Sequence, residues 1–258
     1  MGDQLGVKIL VVGDGCTDVY VYGKCDRLCP AAPVPVFIPV HRKTNLGMAG
    51  NVYENILSLG LECELVCNDA SKIVKTRFVE HKNNHMIMRL DKGDVSDERI
   101  FERIKDRQKW VNYIKQFDAI IISDYNKGFL SEKDIEFISS NHDMVFLDTK
   151  KLLGSYARNC KFIKVNEYEY ERSKHLLENL QDWIQESLIV TLGSKGCRYK
   201  EGTYPVKRVE VKDLTGAGDS FLAGLVHKYI ETNNIKISIE YANECATKVV
   251  QQRGVSTL

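Results

Sequence analysis

The residues with the most chemistry in this 258-residue chain lie in Asp213-Leu-Thr-Gly-Ala-Gly-Asp219-Ser-Phe-Leu-Ala-Gly224, which runs straight into an apolar helical pattern. Gly216 and Gly218 let the backbone approach a ligand closely. A helix beginning there turns unpaired N–H groups and the positive end of its dipole toward an anion. Gly216, Ala217 and Gly218 therefore form a candidate hole for a phosphate or an anionic transition state. Asp219 falls in the first turn, where the dipole keeps it ionised and it can take a proton from an attacking hydroxyl. Aspartate is also a favoured residue at a helix start, so the segment alone leaves a plain capping role open.

These residues need a scaffold, and the rest of the chain predicts one. Short apolar runs alternate with helical patterns, which points to βαβ units and a parallel sheet covered by helices. The run Val7 to Val12 reads as a buried strand meeting a tight loop at Gly13-Asp14-Gly15. A helix is predicted over 49–59, with Gly60 as its stop. Further strands are predicted at 62–67, 118–122, 143–147, 161–165 and 187–192, and helices at 97–116, 131–139, 175–186, 217–231 and 235–251. Residues 33–40 alternate and carry prolines, which suits an exposed or edge strand. Residues 73–80 and 85–91 read as two strands around a Lys82-Asn83-Asn84 turn. Three strands apart from the alternating core predict a small β-sheet element, a lid. No internal repeat or linker divides the chain.

Composition narrows the function. Lys plus Arg number 36 against 35 Asp plus Glu, and a net charge of +1 gives no broad pull toward nucleic acid or anionic lipid. No apolar run reaches the roughly 18 residues of a membrane span, and Met1-Gly2-Asp3-Gln4 has no signal-peptide character, so a cytoplasmic protein is expected. Eight cysteines in a chain of this size read as free thiols. The C-x3-C pairs Cys25/Cys29 and Cys63/Cys67, with His81 and His85 nearby, lack the usual order of a zinc site. There is no G-x-x-x-x-G-K-[ST], and Asp18 stands where a dinucleotide fingerprint has its last glycine.

Taken together, the motifs resemble the ribokinase-like (PfkB) family of sugar kinases over nearly the whole chain. D-x-T-G-A-G-D at 213–219 is similar to that family's C-terminal signature, Gly13-Asp14-Gly15-Cys-Thr-Asp18 to its opening G-D-x-x-x-D, and Gly47-Met-Ala-Gly-Asn51 to its G-G-A-A-N. Leu28 to Val36, Ser123-Asp-Tyr-Asn-Lys-Gly128 and Leu147-Asp-Thr-Lys150 most resemble the D-glycero-D-manno-heptose 7-phosphate 1-kinase branch. Met48, Gly50 and Thr149 depart from the family pattern, and a helix and strand carried by heptose kinases are missing between Cys67 and Ile73. Nothing at the C-terminus resembles a nucleotidyltransferase.

The resemblance implies a ribokinase-like three-layer αβα sandwich, a mostly parallel central sheet with a small β-sheet lid, in one kinase domain over 1–258 with lid strands near 33–40 and 73–91. Gly47, Asp18 and Asn51 would meet sugar hydroxyls, a carboxylate accepting and an amide doing both, or else Asn51 caps the helix near residue 51. Lys127 and Arg89 are candidates for a phosphate already on the sugar, or else ordinary surface charges. Asp148 and Lys150, beyond a strand's carboxyl end, are assigned to the same side. Asn166-Glu-Tyr-Glu169 matches N-x-x-E, which would organise magnesium through water; it also reads as a polar first helical turn. Thr191, Gly193 and Gly196 would flank the nucleotide phosphates and ribose, and Asn243 and Ala246 the adenine; the same residues also read as plain turn residues and helix packing. Transfer of the ATP γ-phosphate to a sugar hydroxyl is implied, the anomeric one if the heptose likeness holds, with Mg2+, a monovalent cation as a further expected ion, and a homodimer contact through the lid. Another sugar or nucleoside acceptor, or a non-catalytic binder of sugar phosphate or nucleotide, remains an alternative.

Overall fold

The structure, a computed structural model, describes residues 6–177, 181–252 and 257–258. The chain opens with β1 (Lys8–Gly13), β2 (Gly15–Lys24), β3 (Ile38–Met48), α1 (Ala49–Ser58), β4 (Glu62–Cys67), β5 (Val74–Glu80) and β6 (Met86–Lys92). It continues with α2 (Ile100–Arg103), α3 (Arg107–Ile114), β7 (Ala119–Asp124), α4 (Glu132–Ser140), β8 (Val145–Thr149), β9 (Phe162–Asn166) and α5 (Glu167–Leu177). The last elements are α6 (Gln181–Ser187), β10 (Leu188–Thr191), β11 (Cys197–Tyr199), β12 (Gly202–Tyr204), α7 (Ala217–Thr232) and α8 (Ile235–Val250).

An eight-stranded sheet runs in the order β12-β11-β10-β9-β8-β7-β1-β4. Its strands from β4 to β10 are parallel, and β11 and β12 close one edge antiparallel. Alternation along β1 explains why both faces are covered: Leu10 and Val12 enter one apolar cluster, Ile9 and Val11 the other. The first cluster packs against α3 and α4 through Trp110, Ile114, Ile135 and Ile138. The second packs against α1, α7 and α8 through Val52, Ile56, Phe221, Leu225 and Ile239. The result is a three-layer α/β fold whose parallel strands end level, with Gly13, Ser123 and Asp148 aligned across neighbouring strands.

A second sheet of four strands, β3-β2-β5-β6, is mixed, β2 pairing parallel to β5 and antiparallel to β3. The tight loop expected at Gly13-Asp14-Gly15 is a single linking residue, Asp14, after which Gly15 opens the ten-residue central strand β2, where the sequence pattern predicts no strand. Only Asp14 separates β1 from β2, and the chain returns at Met48, which pairs with Gly15 and leads into α1. At the crossing, the Ala49 N–H donates to the Asp14 carbonyl at 3.0 Å. A Cβ on Gly13 would stand 1.9 Å from the Ser123 carbonyl oxygen, so only glycine fits there. Met48 is held at φ 55°, ψ −128°, a region side chains rarely adopt.

Three sequence expectations need correction. The strand expected at 33–40 begins at Ile38 and runs to Met48, because Pro30, Pro33 and Pro35 lack donors and the chain there makes only a single Leu28–Pro35 bridge. The helix expected over 97–116 is broken, because Asp106 accepts from the Gln108 and Lys109 N–H groups and starts a new helix at Arg107. The helix expected at 175–186 begins earlier, α5 starting at Glu167, and is helical again over α6 from Gln181; residues 178–180 of that expectation lie outside the described residues.

Candidate active site

Asp219 lies in the first turn of the sixteen-residue α7, whose N-cap Gly216 takes a left-handed φ of 83°. The lack of a side chain at the two glycines is used on both flanks. A Cβ on Gly216 would come within 2.9 Å of Asn51 Nδ2, and one on Gly218 within 2.9 Å of Lys164 Nζ. The buried Asp219 carboxylate accepts from Asn51 Nδ2 at 2.7 Å and from the Tyr125 hydroxyl at 2.8 Å. Burial pushes the Asp219 carboxyl above its usual range, the nearby Asp148 charge adds to this, and the two donors pull it back. The Tyr125 phenol is held well above its ordinary value, first by burial and then by the Asp219 charge, so it keeps its proton and donates.

Next to this pair, Asp148 at the end of β8 binds two lysines. Lys164 Nζ, almost fully buried, donates at 2.7 Å, and Lys150 Nζ stands at 3.4 Å. Burial alone would raise the Asp148 carboxyl, but Lys150 and Lys164 outweigh it and hold it below the usual range. Lys150 also pairs with Glu169 at 2.6 Å and lies 5.2 Å over the Tyr125 ring.

Asn166 and Glu169 close a reciprocal helix cap. The Glu169 N–H donates to Asn166 Oδ1, and the Asn166 N–H and Nδ2 donate to the Glu169 carboxylate, each at 2.8 Å. Their sequence spacing therefore has a structural role at the start of α5. Among the described residues no group of three His, Cys, Asp or Glu is arranged to hold a metal. With both Glu169 oxygens already accepting, a magnesium ion that keeps several waters would be held here through those waters.

Asp148, Lys150, Lys164, Asn166, Thr191, Gly193, Gly216, Gly218, Asp219 and Tyr125 all line one cleft of about 600 Å³ beyond the carboxyl ends of β8, β9 and β10. Gly196, at φ 90°, instead shapes the turn into β11, where a Cβ would stand 1.9 Å from the Tyr204 carbonyl oxygen. Asn243, buried on α8, donates to that same carbonyl at 3.0 Å and so anchors β12, and Ala246 packs into the apolar cluster beneath it. Neither is among the cleft's lining residues.

On the small sheet, Asp18 pairs with Arg77, and a Cβ on Gly47 of the neighbouring strand β3 would fall 2.3 Å from Asp18 Oδ2. Arg89 closes a two-point pair with Asp91 at 2.8 and 2.6 Å, and Lys127 pairs with Asp94; neither cation lines the Asp219 cleft. Asp14 is a loop clamp: its carboxylate accepts the N–H groups of Tyr125 at 2.7 Å, Lys127 at 3.1 Å and Phe129 at 3.2 Å. Burial, then the Asp124 charge, pushes its carboxyl up.

Sequence reasoning missed Tyr125, Lys164 and Arg77. Lys164 did leave a signal, since a lysine inside the apolar strand Phe-Ile-Lys-Val-Asn has to find a buried partner. Tyr125 lay inside a quoted motif but its aim depends on the Asp14 clamp, which no local pattern shows.

Residues 49–258 match the pfkB family of carbohydrate kinases, and the chain belongs to that family of kinases. It is 32% identical over 296 residues to the Bifunctional protein HldE of Helicobacter acinonychis, an alignment that covers 96% of this chain and 63% of that protein. The chain thus spans less than two thirds of that relative, and an alignment of 296 residues on a 258-residue chain leaves internal residues of the relative without counterparts. Ribokinase from Thermotoga maritima superposes with a TM-score of 0.71 at 15% identity, covering 96% of this chain and 94% of that one. Arabidopsis thaliana ribokinase complexed with ribose and ATP gives 0.66 at 14% identity, covering 97% and 94%. These two likenesses establish the ribokinase fold. Among the described residues, no helix is long and apolar enough to cross a membrane.

Proposed function

We propose that the chain transfers the γ-phosphoryl group of ATP to a sugar hydroxyl, and that the acceptor is the anomeric hydroxyl of a heptose 7-phosphate. The observation that carries the reaction is the buried Asp219 carboxylate in the first turn of α7, aimed by Asn51 and Tyr125 and bordered by Gly216 and Gly218. Asp219 takes the proton of the attacking hydroxyl. By position, the N–H groups of Gly218 and Asp219 have no carbonyl one turn back, so they face the charge on the moving phosphoryl group. Lys150 and Lys164 add two cations on the cleft wall. Positioning and charge stabilisation of this kind are the main needs of phosphoryl transfer. Magnesium bound with the nucleotide would neutralise the β and γ oxygens, held through water by Asn166 and Glu169.

The heptose assignment is supported by the motif likeness at 28–36, 123–128 and 147–150 and by the identity with HldE. In this reading the small sheet is a lid that brings Asp18 to the acceptor hydroxyls and excludes water. Its outer strands leave Val40, Met88 and Leu90 about half exposed, which supports contact between two copies through this sheet. The test is ADP release with purified protein across free sugars and sugar phosphates. Heptose 7-phosphate should give the highest kcat/KM, and Asp219→Asn should lower kcat by about a thousandfold or more while circular dichroism stays native. Normal turnover in Asp219→Asn would refute the mechanism, and a preferred hexose or nucleoside would refute the acceptor.

A further inference from the structure

A second cavity, of about 380 Å³, lies between the small sheet and the 211–215 segment that leads into the anion hole. It shares Leu214 with the Asp219 cleft, so the two spaces abut across one side chain. Its wall carries an excess of hydrogen-bond donors. The Tyr20 hydroxyl is buried to 3% exposure and lies beside Thr215 without completing a hydrogen bond. A buried phenol left in that state is costly unless something else accepts from it. Arg77, whose side chain is 12% exposed, spends Nη1 on Asp18 and stacks 5.1 Å over the Tyr20 ring, and a guanidinium has further N–H groups to give. Lys212, Thr215 and Asn84 complete the donor set.

The charges around the cavity fit an anion more than a neutral sugar. Arg77 has Arg89 as its cross-strand partner, with Lys75 two residues away on the same face of β5. Lys212 approaches from the opposite wall. Against these stand Asp18, already paired with Arg77, Asp91, already paired with Arg89, and Asp213, which accepts the Thr215 N–H at 2.8 Å. Of these, Arg77, Lys212 and Asp213 line the cavity itself, two cations to one carboxylate, and that carboxylate already accepts a backbone N–H.

We infer that this cavity is the subsite for a phosphate monoester carried by the acceptor, read by the Tyr20 hydroxyl and the Arg77 fork. The inference rests on the kinase reading above and assigns the acceptor's phosphate to Tyr20 and Arg77 in place of Lys127, which its pairing with Asp94 holds elsewhere. It gives the two ends of the acceptor separate addresses: the reacting hydroxyl at Asp219 and Asn51, the existing phosphate across Leu214.

The experiment titrates D-glycero-D-manno-heptose 7-phosphate, the same heptose without phosphate, and inorganic phosphate into the full chain by calorimetry, for wild type, Tyr20→Phe and Arg77→Lys, with steady-state KM for both sugars alongside. Wild type should bind the ester at least about tenfold tighter than the free heptose, a factor one hydrogen bond to a charged group supplies. Tyr20→Phe keeps the ring under Arg77 and should weaken the ester about tenfold more than it weakens the free sugar, with the loss in KM. Arg77→Lys, which keeps the charge and loses the fork, should do the same. Equal weakening of both sugars, equal wild-type affinity for both, or no binding of either the ester or inorganic phosphate overturns the subsite. Absence of ADP release with every sugar, while the ester still binds selectively, counts against the kinase reading alone.

Discussion

The Tyr125 hydroxyl donates to Asp219 Oδ1 at 2.8 Å from the opposite side to Asn51, so the carboxylate is fixed by one donor on each oxygen. A carboxylate held in this way has a defined direction for its remaining lone pairs, as the proposed base would need.

Tyr125→Phe should therefore change both rate and pH dependence. In the proposed reaction Asp219 must be ionised to accept a proton, so activity should fall as pH drops through its pKa, which burial has raised. The tyrosine hydroxyl lowers that pKa, and removing it should move the acid limb of the kcat/KM profile to higher pH. At neutral pH kcat should drop about ten- to hundredfold, the value of a hydrogen bond to a charged group. An unmoved acid limb would show that the contact does not act on the base.

The Asp148–Lys164 pair, at 2.7 Å and with side chains 3% and 4% exposed, should behave as a buried ion pair. Lys164→Met leaves Asp148 with the more distant Lys150 and should cost about 3 kcal/mol in urea unfolding, whereas Asp148→Asn combined with Lys164→Met should cost less than the two single losses added together. Because the Asp148 pKa is depressed in the fold, its stabilising contribution is present above the ordinary carboxylate range and is lost as pH falls through the lower folded value. Asp148→Asn should accordingly flatten the acid side of the stability profile.

Gly13→Ala should be among the most damaging single-methyl additions in the chain. The added Cβ would meet a backbone oxygen at 1.9 Å, and neither strand can withdraw, so a loss of about 3 kcal/mol is expected. Gly154→Ala, where the nearest atom is a Tyr156 ring carbon at 3.4 Å, should stay within about 0.5 kcal/mol in the same denaturation assay.

If two copies meet through the small sheet, analytical ultracentrifugation should show a dimer, and Met88→Lys with Leu90→Lys should yield a monomer. Both side chains are about half exposed on strand β6. A wild-type monomer at all concentrations would remove this contact.

The large sheet was legible because its strands are nearly continuous apolar runs between helical patterns; β4 falls on its predicted residues and α7 within one residue of them. The small sheet was harder. β2 carries Asp18 and Gly23 among its aromatic residues, and its identity depends on pairing with β3 and β5 from distant parts of the chain. The same limit applied to the site. Asp219, Gly216 and Gly218 stand together in sequence and could be read directly, but Tyr125, Lys164 and Arg77 acquire meaning only from partners 94, 16 and 59 residues away. Asn166 and Glu169 show the opposite case, where a local pattern was visible and two explanations shared it.

Asp14 is the lone covalent joint from β1 to β2, and its carboxylate grips the loop whose first gripped residue is Tyr125. Asp14 thus belongs both to the hinge side of the small sheet and to the contacts that aim Asp219. If the small sheet tilts about Asp14 when a substrate binds, the loop that carries Tyr125 would move with it, and closing the cleft and aiming Asp219 would then be parts of a single stroke.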